Sequence, residues 1–164
     1  MTDAVPDTRI FVDADACPVK EEIYKVARRY RLQVLVVANS FMMVPSEPLI
    51  ERMIVEAGPD VADDWIAAQV RPGDVVVTAD FPLASRVLAA GALAIGSTGK
   101  PFTVDSIGSA LAGRAIGEHL RSIGETTRGP APFRPQDRSH FLSALDEAVH
   151  RARRAAAAQS AMKR

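Results

Sequence analysis

The chain has 164 residues, 48% of them hydrophobic, and its 20 basic residues balance 20 acidic ones. That suits one ordinary domain with a real core. No apolar run approaches the roughly 18 residues that would cross a bilayer, so no membrane role is expected.

The zero net charge hides an asymmetry. Residues 150–164 carry Arg151, Arg153, Arg154, Lys163 and Arg164 and no acid, which leaves 15 basic against 20 acidic residues in 1–149. A body of that sign is not built for bulk electrostatic capture of nucleic acid. Its acids therefore need local explanations. The single cysteine allows no internal disulfide, and the polar start, Met1 to Arg9, has no signal-peptide pattern. Together these lead us to expect a cytoplasmic protein.

Arg9–Asp13 is apolar on both sides and reads as an interior strand of a parallel sheet. Pro18 suits a first helical turn, and Val19, Ile23, Val26, Ala27 and Tyr30 recur at helical spacing. Leu32–Ala38 is a second strand, and Asn39–Pro48, with two prolines, a loop. Leu49–Ala57 is ambiguous between helix and edge strand. Gly58-Pro59 breaks the chain, and Asp60 caps a helix over Val61–Val70. Asp74–Thr78 is the most strand-like segment. Pro82 opens a helix over Leu83–Ala90, Gly91 closes it, and Ala92–Ile95 is a short last strand.

Two more helical stretches follow, Ser106–Ile123 behind Thr103 or Asp105, and one behind Asp137 or Ser139 carrying Phe141, Leu142, Leu145 and Val149. Gly124–Gln136 reads as a surface loop. Beyond His150 the Ala/Arg-rich residues 151–164 show no stripe to pack, and a frayed or disordered tail is expected. The alternation predicts an α/β fold, a single-domain three-layer sandwich over residues 8–150 around a parallel sheet. Its strand order is 3-2-1-4-5 if Leu49–Ala57 is a strand.

In such sheets ligands sit beyond the carboxyl ends of the strands, where the order reverses. Asp13 ends the first strand, Asp80 follows the Asp74–Thr78 strand, and Asp63 starts the helix leading into it. Topology alone brings all three together. Three acids in one place suggest an oxygen-rich site for a hard cation, Mg²⁺ or Mn²⁺. Asp15, Asp60 and Asp64 are secondary candidates for that site, although each also has a simpler role as cap or dipole partner. Asp74 reads as a turn residue and Trp65 as packing. Arg28, Arg29 and Arg31 read as a solvated helix end. Cys17, near a helix start where thiol pKa tends to fall, reads as a buried small residue or a cap. His119, His140 and His150 have no metal-ligand spacing.

Three stretches, Ile10-Phe11-Val12-Asp13-Ala14-Asp15-Ala16-Cys17-Pro18, Asp60-Val61-Ala62-Asp63-Asp64-Trp65-Ile66 and Thr78-Ala79-Asp80-Phe81-Pro82-Leu83-Ala84, together resemble the YaiI/YqxD family. Arg128-Gly129-Pro130-Ala131-Pro132-Phe133 and Asp137-Arg138-Ser139-His140-Phe141 fit the same pattern. The resemblance implies a PIN-like (PilT N-terminal-like) nuclease fold, with Asp13, Asp63 and Asp80 as metal ligands and catalytic acids. A further acid usual in PIN nucleases has no clear counterpart; Glu47, Glu51 and Glu56 are the nearest options.

Three functions compete. The first is metal-dependent phosphodiester hydrolysis, with RNA favoured over DNA, Thr78 or Asn39 orienting water or phosphate, and Arg128, Arg134 and Arg138 holding flanking phosphates. The second is a non-catalytic PIN-like module that binds RNA or protein. The third is a phosphatase of the haloacid dehalogenase type using Asp13 and Asp15. Against this last reading, Cys17 stands where that family expects Thr or Val, and no later lysine and paired-acid motifs follow.

Overall fold

Runs of valine, isoleucine and leucine flanked by glycine and proline become five short strands, because β-branched side chains pack best on a pleated surface buried on both faces. The computed structural model describes residues 8–109, 112 and 133–162. Its strands are β1 (Arg9–Asp13), β2 (Gln33–Ala38), β3 (Ile50–Ile54), β4 (Val75–Val77) and β5 (Leu93–Ile95). They form one sheet in the order β3-β2-β1-β4-β5, and every pairing is parallel. The ambiguous segment after Leu49 is thus an edge strand.

Helices cover both faces. Alternation along β1 sends Ile10 and Val12 to one side and Phe11 to the other. On the first side lie α1 (Lys20–Tyr30) and α4 (Pro135–Met162), contributing Ile23, Tyr24, Phe141, Leu145 and Val149. On the second lie α2 (Val61–Gln69) and α3 (Phe81–Ala89), contributing Ile66, Leu83 and Val87. The result is a three-layer α/β sandwich. From β1 the chain winds outward through β2 to β3, then returns to β4 and winds the other way to β5. The strand order therefore reverses between β1 and β4.

Several expectations need correction. Pro18 does not open a helix: it follows a 3₁₀ turn over Ala14–Ala16, and α1 starts at Lys20 behind Val19. Lys20 Nζ donates to the Cys17 carbonyl at 2.9 Å, bridging the residues between that turn and α1. The cap of the helical stretch at 104–109 comes from Thr103, which exchanges hydrogen bonds with Ser106, and not from Asp105. α4 starts at Pro135, ahead of Asp137 and Ser139; Asp137 instead accepts from the Arg134 amide at 2.8 Å. Pro135 and Gln136 therefore belong to a helix, while residues 110–111, 113–123 and 124–132 of the expected helix and loop lie outside the described residues.

The tail is the largest surprise. Where a frayed end with nothing to pack was expected, helix continues to Met162, with Ala152 and Ala156 buried. Alanines four apart form a narrow stripe on one helical face. They sit against Gly73, where an added Cβ would lie 2.7 Å from that of Ala156. Only a glycine fits that approach, and its φ of +99° requires one as well.

Asp74 is also more than a turn residue. It is buried, and its carboxylate accepts from Arg9 Nη2 at 2.8 Å, from Arg9 Nε and backbone N at 3.2 Å each, and from the Arg71 amide at 3.0 Å. This pair ties β1 to the entry of β4 at the amino edge of the sheet. Arg28 and Arg29 are likewise paired, with Glu47 and Asp146, joining α1 to the β2–β3 loop and to α4.

Candidate active site

The carboxyl edge at the β1/β4 junction is built from three chain segments. Val12 pairs with Val77, so Asp13 and Thr78 leave the sheet side by side. The buried Thr78 hydroxyl donates to Asp13 Oδ2 at 2.8 Å and accepts from the Asp80 amide at 3.0 Å. Asp80 is the N-cap of α3: its Oδ1 accepts from the Leu83 amide at 2.7 Å, with Pro82 in the first turn. Asp63 lies in the first turn of α2.

These three acids feel one another. Burial, then the charges of Asp80, Asp13 and Asp60, push the Asp63 carboxyl up to about 6, and Arg86 offsets this only partly. Burial also raises the Asp13 carboxyl, with Asp15 and Asp80 adding to the shift and the Thr78 hydrogen bond opposing it. Among the described residues none of the three has a basic side chain as ionic partner. Arg86, whose charge acts on Asp63, is engaged with Asp64 at 2.6 Å. The donor set is all oxygen, the type a hard divalent cation takes. Its mutual repulsion is what such a cation would reverse, so the chemistry of these residues fits Mg²⁺ or Mn²⁺. As they stand, however, no three His, Cys, Asp or Glu side chains among the described residues are gathered closely enough to hold a metal ion.

Of the secondary candidates, Asp15 and Asp60 add their charge to this group, while Asp64 is committed elsewhere. Asp15 is exposed on the 3₁₀ turn, and Asp64 is exposed and paired with Arg86. Asp60 occupies the N-cap position of α2 but makes no side-chain cap hydrogen bond; it sits in the left-handed region at φ 66°. Glu47 is paired with Arg28, while Glu51 and Glu56 are exposed on or beyond edge strand β3. Asn39 is exposed just past β2.

Of the arginines expected to hold phosphate, Arg128 lies outside the described residues, as does His119. Arg134 is exposed, and Arg138 is used internally. Arg138 donates to the Pro18 carbonyl at 2.6 Å, approaches Glu22 at 3.3 Å and stacks on Phe133, fastening α4 to the segment after β1. Cys17 is buried, and burial raises its thiol pKa, the opposite of the lowering expected at a helix start. His140 packs beside Gly99, and His150 bonds Tyr30 and Asp146. Trp65 packs on Phe11 at 6.2 Å between ring centroids.

One neighbouring feature escaped the sequence reading. Beyond β5, residues Gly96–Phe102 fold back on its edge through an Ile95–Pro101 bridge and a Phe102 N–H bond to Ala94 O. Between this segment and the β4–α3 turn lies a cavity of about 600 Å³. The signal was Gly-Ser-Thr-Gly-Lys just past the last strand, where α/β folds place ligands.

An all-parallel, doubly wound sheet flanked by helices, with partly buried acids at its switch point, defines the class: a three-layer α/β protein. The chain belongs to the family described as "Uncharacterized BCR, YaiI/YqxD family", whose model matches residues 11–151. It is similar to a UPF0178 protein of Caulobacter sp. (strain K31), 64% identical over 147 residues that cover 90% of this chain and 97% of the relative. UPF0178 proteins of Rhodopseudomonas palustris (61% identity; 96% of this chain, 99% of the relative) and Bradyrhizobium diazoefficiens (60%; 94% and 91%) are also similar. No solved structure matches the chain. No described helix is long and apolar enough to cross a membrane.

Proposed function

We propose that this protein is a PIN-like, divalent-cation-dependent phosphodiesterase that cleaves RNA, with Asp13, Asp63 and Asp80 as its catalytic acids. The observation carrying this reading is the placement of three carboxylates, without a basic partner among the described residues, at the sheet's switch point. Crowded like charges destabilise a fold, so such a cluster calls for a compensating ligand. Asp13, Asp63 and Asp80 would hold Mg²⁺ or Mn²⁺. When bound, the cation supplies charge neutralisation at the phosphoryl oxygens and a more acidic water.

The chain's own residues prepare that chemistry. Thr78 fixes the Asp13 carboxylate with one hydrogen bond and the turn carrying Asp80 with another. Asp80, held by the Leu83 amide through Oδ1, keeps Oδ2 free of any hydrogen bond among the described residues. Asp63 carries a proton below about pH 6, so cation binding in that range must release it.

Titration calorimetry with MnCl₂ and cleavage of a panel of end-labelled RNAs test the reading together. We expect Mn²⁺ binding that weakens below pH 6, and slow cleavage abolished by EDTA. Asp13→Asn, Asp63→Asn and Asp80→Asn should each lower the rate by orders of magnitude, whereas His140→Ala and Cys17→Ala stay near wild type. Cleavage that survives EDTA or the aspartate substitutions would overturn it.

A second reading, a non-catalytic RNA- or protein-binding module, is favoured by one observation. The described acids are not gathered closely enough to hold a metal ion as they stand. RNA binding with neither Mn²⁺ binding nor cleavage of any RNA in the panel would select it.

A further inference from the structure

We infer that the cavity beside Asp80 is a base-binding pocket for a single-stranded nucleic acid, with Lys100 anchoring the adjoining phosphate. The inference rests on the reading above in taking a nucleic acid as substrate, but it concerns residues outside the acidic set.

The cavity of about 600 Å³ is lined chiefly by Ala79, Phe81, Ser97, Lys100, Pro101 and Phe102. That size is within the range of small-molecule sites. Phe81 and Phe102 meet edge to face at 5.5 Å between centroids and 84° between planes, and both line the cavity. Aromatic walls receive bases by stacking, whatever the base. A base inside a duplex is already stacked and does not present its face to such a wall; an unpaired one does.

The charge is placed to match. Lys100 is exposed and has no acidic partner among the described residues, and Ser97 beside it has a hydroxyl with no hydrogen bond there. Ser106, also on the rim, is already committed to Thr103. An ammonium and a hydroxyl at the mouth of an apolar pocket suit an anion attached to a flat apolar body, which is the build of a nucleotide. The loop is held in place. Gly96 N–H donates to the Lys100 carbonyl at 3.0 Å, and Gly99, at φ +90°, lies so close to His140 and Ala144 that a Cβ would clash.

Position ties the pocket to the chemistry. Ala79 and Phe81 flank Asp80 in sequence, so the acid and the cavity wall share one turn. A nucleotide seated there leaves a neighbouring phosphodiester next to the aspartates. The pocket thus sets which phosphodiester is presented, and it favours single strands.

The test is fluorescence anisotropy in EDTA with the full chain. The probes are a labelled single-stranded RNA pentamer, its DNA counterpart, versions of each with one abasic position moved along the strand, and an RNA duplex of the same length. We expect single strands to bind more tightly than the duplex, and one abasic position to cost about tenfold. Phe102→Ala should lower affinity for the intact strand by a similar factor and remove the abasic effect. Phe102→Leu, which keeps apolar volume, should do the same and covers the case in which the alanine variant does not fold. Lys100→Gln, at an exposed site, should weaken intact and abasic strands alike and flatten the salt dependence by about 0.7 in log–log slope. Equal affinity for intact and abasic strands in both RNA and DNA, or a folded Phe102 variant that binds like wild type, overturns the pocket. Pocket binding without cleavage under Mn²⁺ would count against hydrolysis alone; Mn²⁺-dependent cleavage with no abasic effect would count against the pocket alone.

Discussion

Thr78 and Asp13 are joined by a 2.8 Å hydrogen bond between adjacent parallel strands, and the same hydroxyl receives the Asp80 amide at 3.0 Å. One buried oxygen therefore sets the spacing of two of the three acids. Thr78→Val keeps the shape but leaves a carboxylate and an amide without their partner. We expect a loss of about 1–3 kcal/mol in urea unfolding, with Thr78→Ser retaining most of the stability. Equal stability of the valine variant and wild type would show that the bond orders nothing.

Asp63 gives a pH signature. Its folded pKa of about 6 lies above the unfolded value of 3.8, so the folded state binds this proton more tightly. The cost of the charged form is full above pH 6, shrinks as pH falls from 6 to 3.8, and is gone below that. In EDTA, Asp63→Asn should therefore melt higher than wild type at pH 7.5. Discounted for solvent exposure, the gain is about 1 kcal/mol, or about 2–4 °C. The gap should close by pH 4. A gap constant with pH would assign the effect to packing rather than charge.

At the opposite edge of the sheet, Arg9 and Asp74 form a pair in which the acid is buried and the base mostly so. Arg9→Ala strands a buried carboxylate and should cost about 3–5 kcal/mol in denaturant unfolding. Arg9→Lys should recover only part of this, because an ammonium cannot supply the forked contacts of Nε and Nη2. An alanine variant within 1 kcal/mol of wild type would contradict the assignment.

The Gly73 contact makes the C-terminal helix testable. Gly73→Ala meets both a 2.7 Å clash with Ala156 and a positive φ, and should cost at least about 1–3 kcal/mol. Adding Ala156→Gly should relieve the clash but not the backbone strain, giving partial rescue. Deleting residues 152–162 should cost about 2 kcal/mol or more by exposing the surfaces that Ala152 and Ala156 cover. An unchanged melting temperature after the deletion would show that the stripe carries no weight.

What sequence could reveal followed from local pattern. Val34–Val37 and Val75–Val77 are apolar on both faces, which marks interior strands and, through their order, the switch point where Asp13 and Asp80 meet. Edge strand β3 was ambiguous because little of it is covered: Ile50 is buried on one face and Met53 partly buried on the other, while Glu51, Arg52 and Ile54 are exposed. Asp74 was misread because its partner lies 65 residues away. The alanine stripe of α4 was invisible because its counterpart is a glycine, and a surface without a side chain leaves no hydrophobic mark. The cavity beside Asp80 needed Phe81, at the start of α3, and Phe102, in the segment after β5, to converge.

The way α4 lies over the sheet has a consequence for biosynthesis. The face that holds Ile10, Val12, Val75 and Val77 is completed by Phe141, Leu145, Val149 and Ala152, more than 60 residues downstream of the last of those strand positions. Strands and α1 can be made early, yet the part of this face that α4 covers stays open until the chain through Ala152 has left the ribosome. Contacts of such long sequence separation close slowly and leave apolar surface exposed in the meantime. The nascent protein therefore passes through an interval in which one face of its β-sheet is covered by α1 alone, and a holding chaperone has most to offer then.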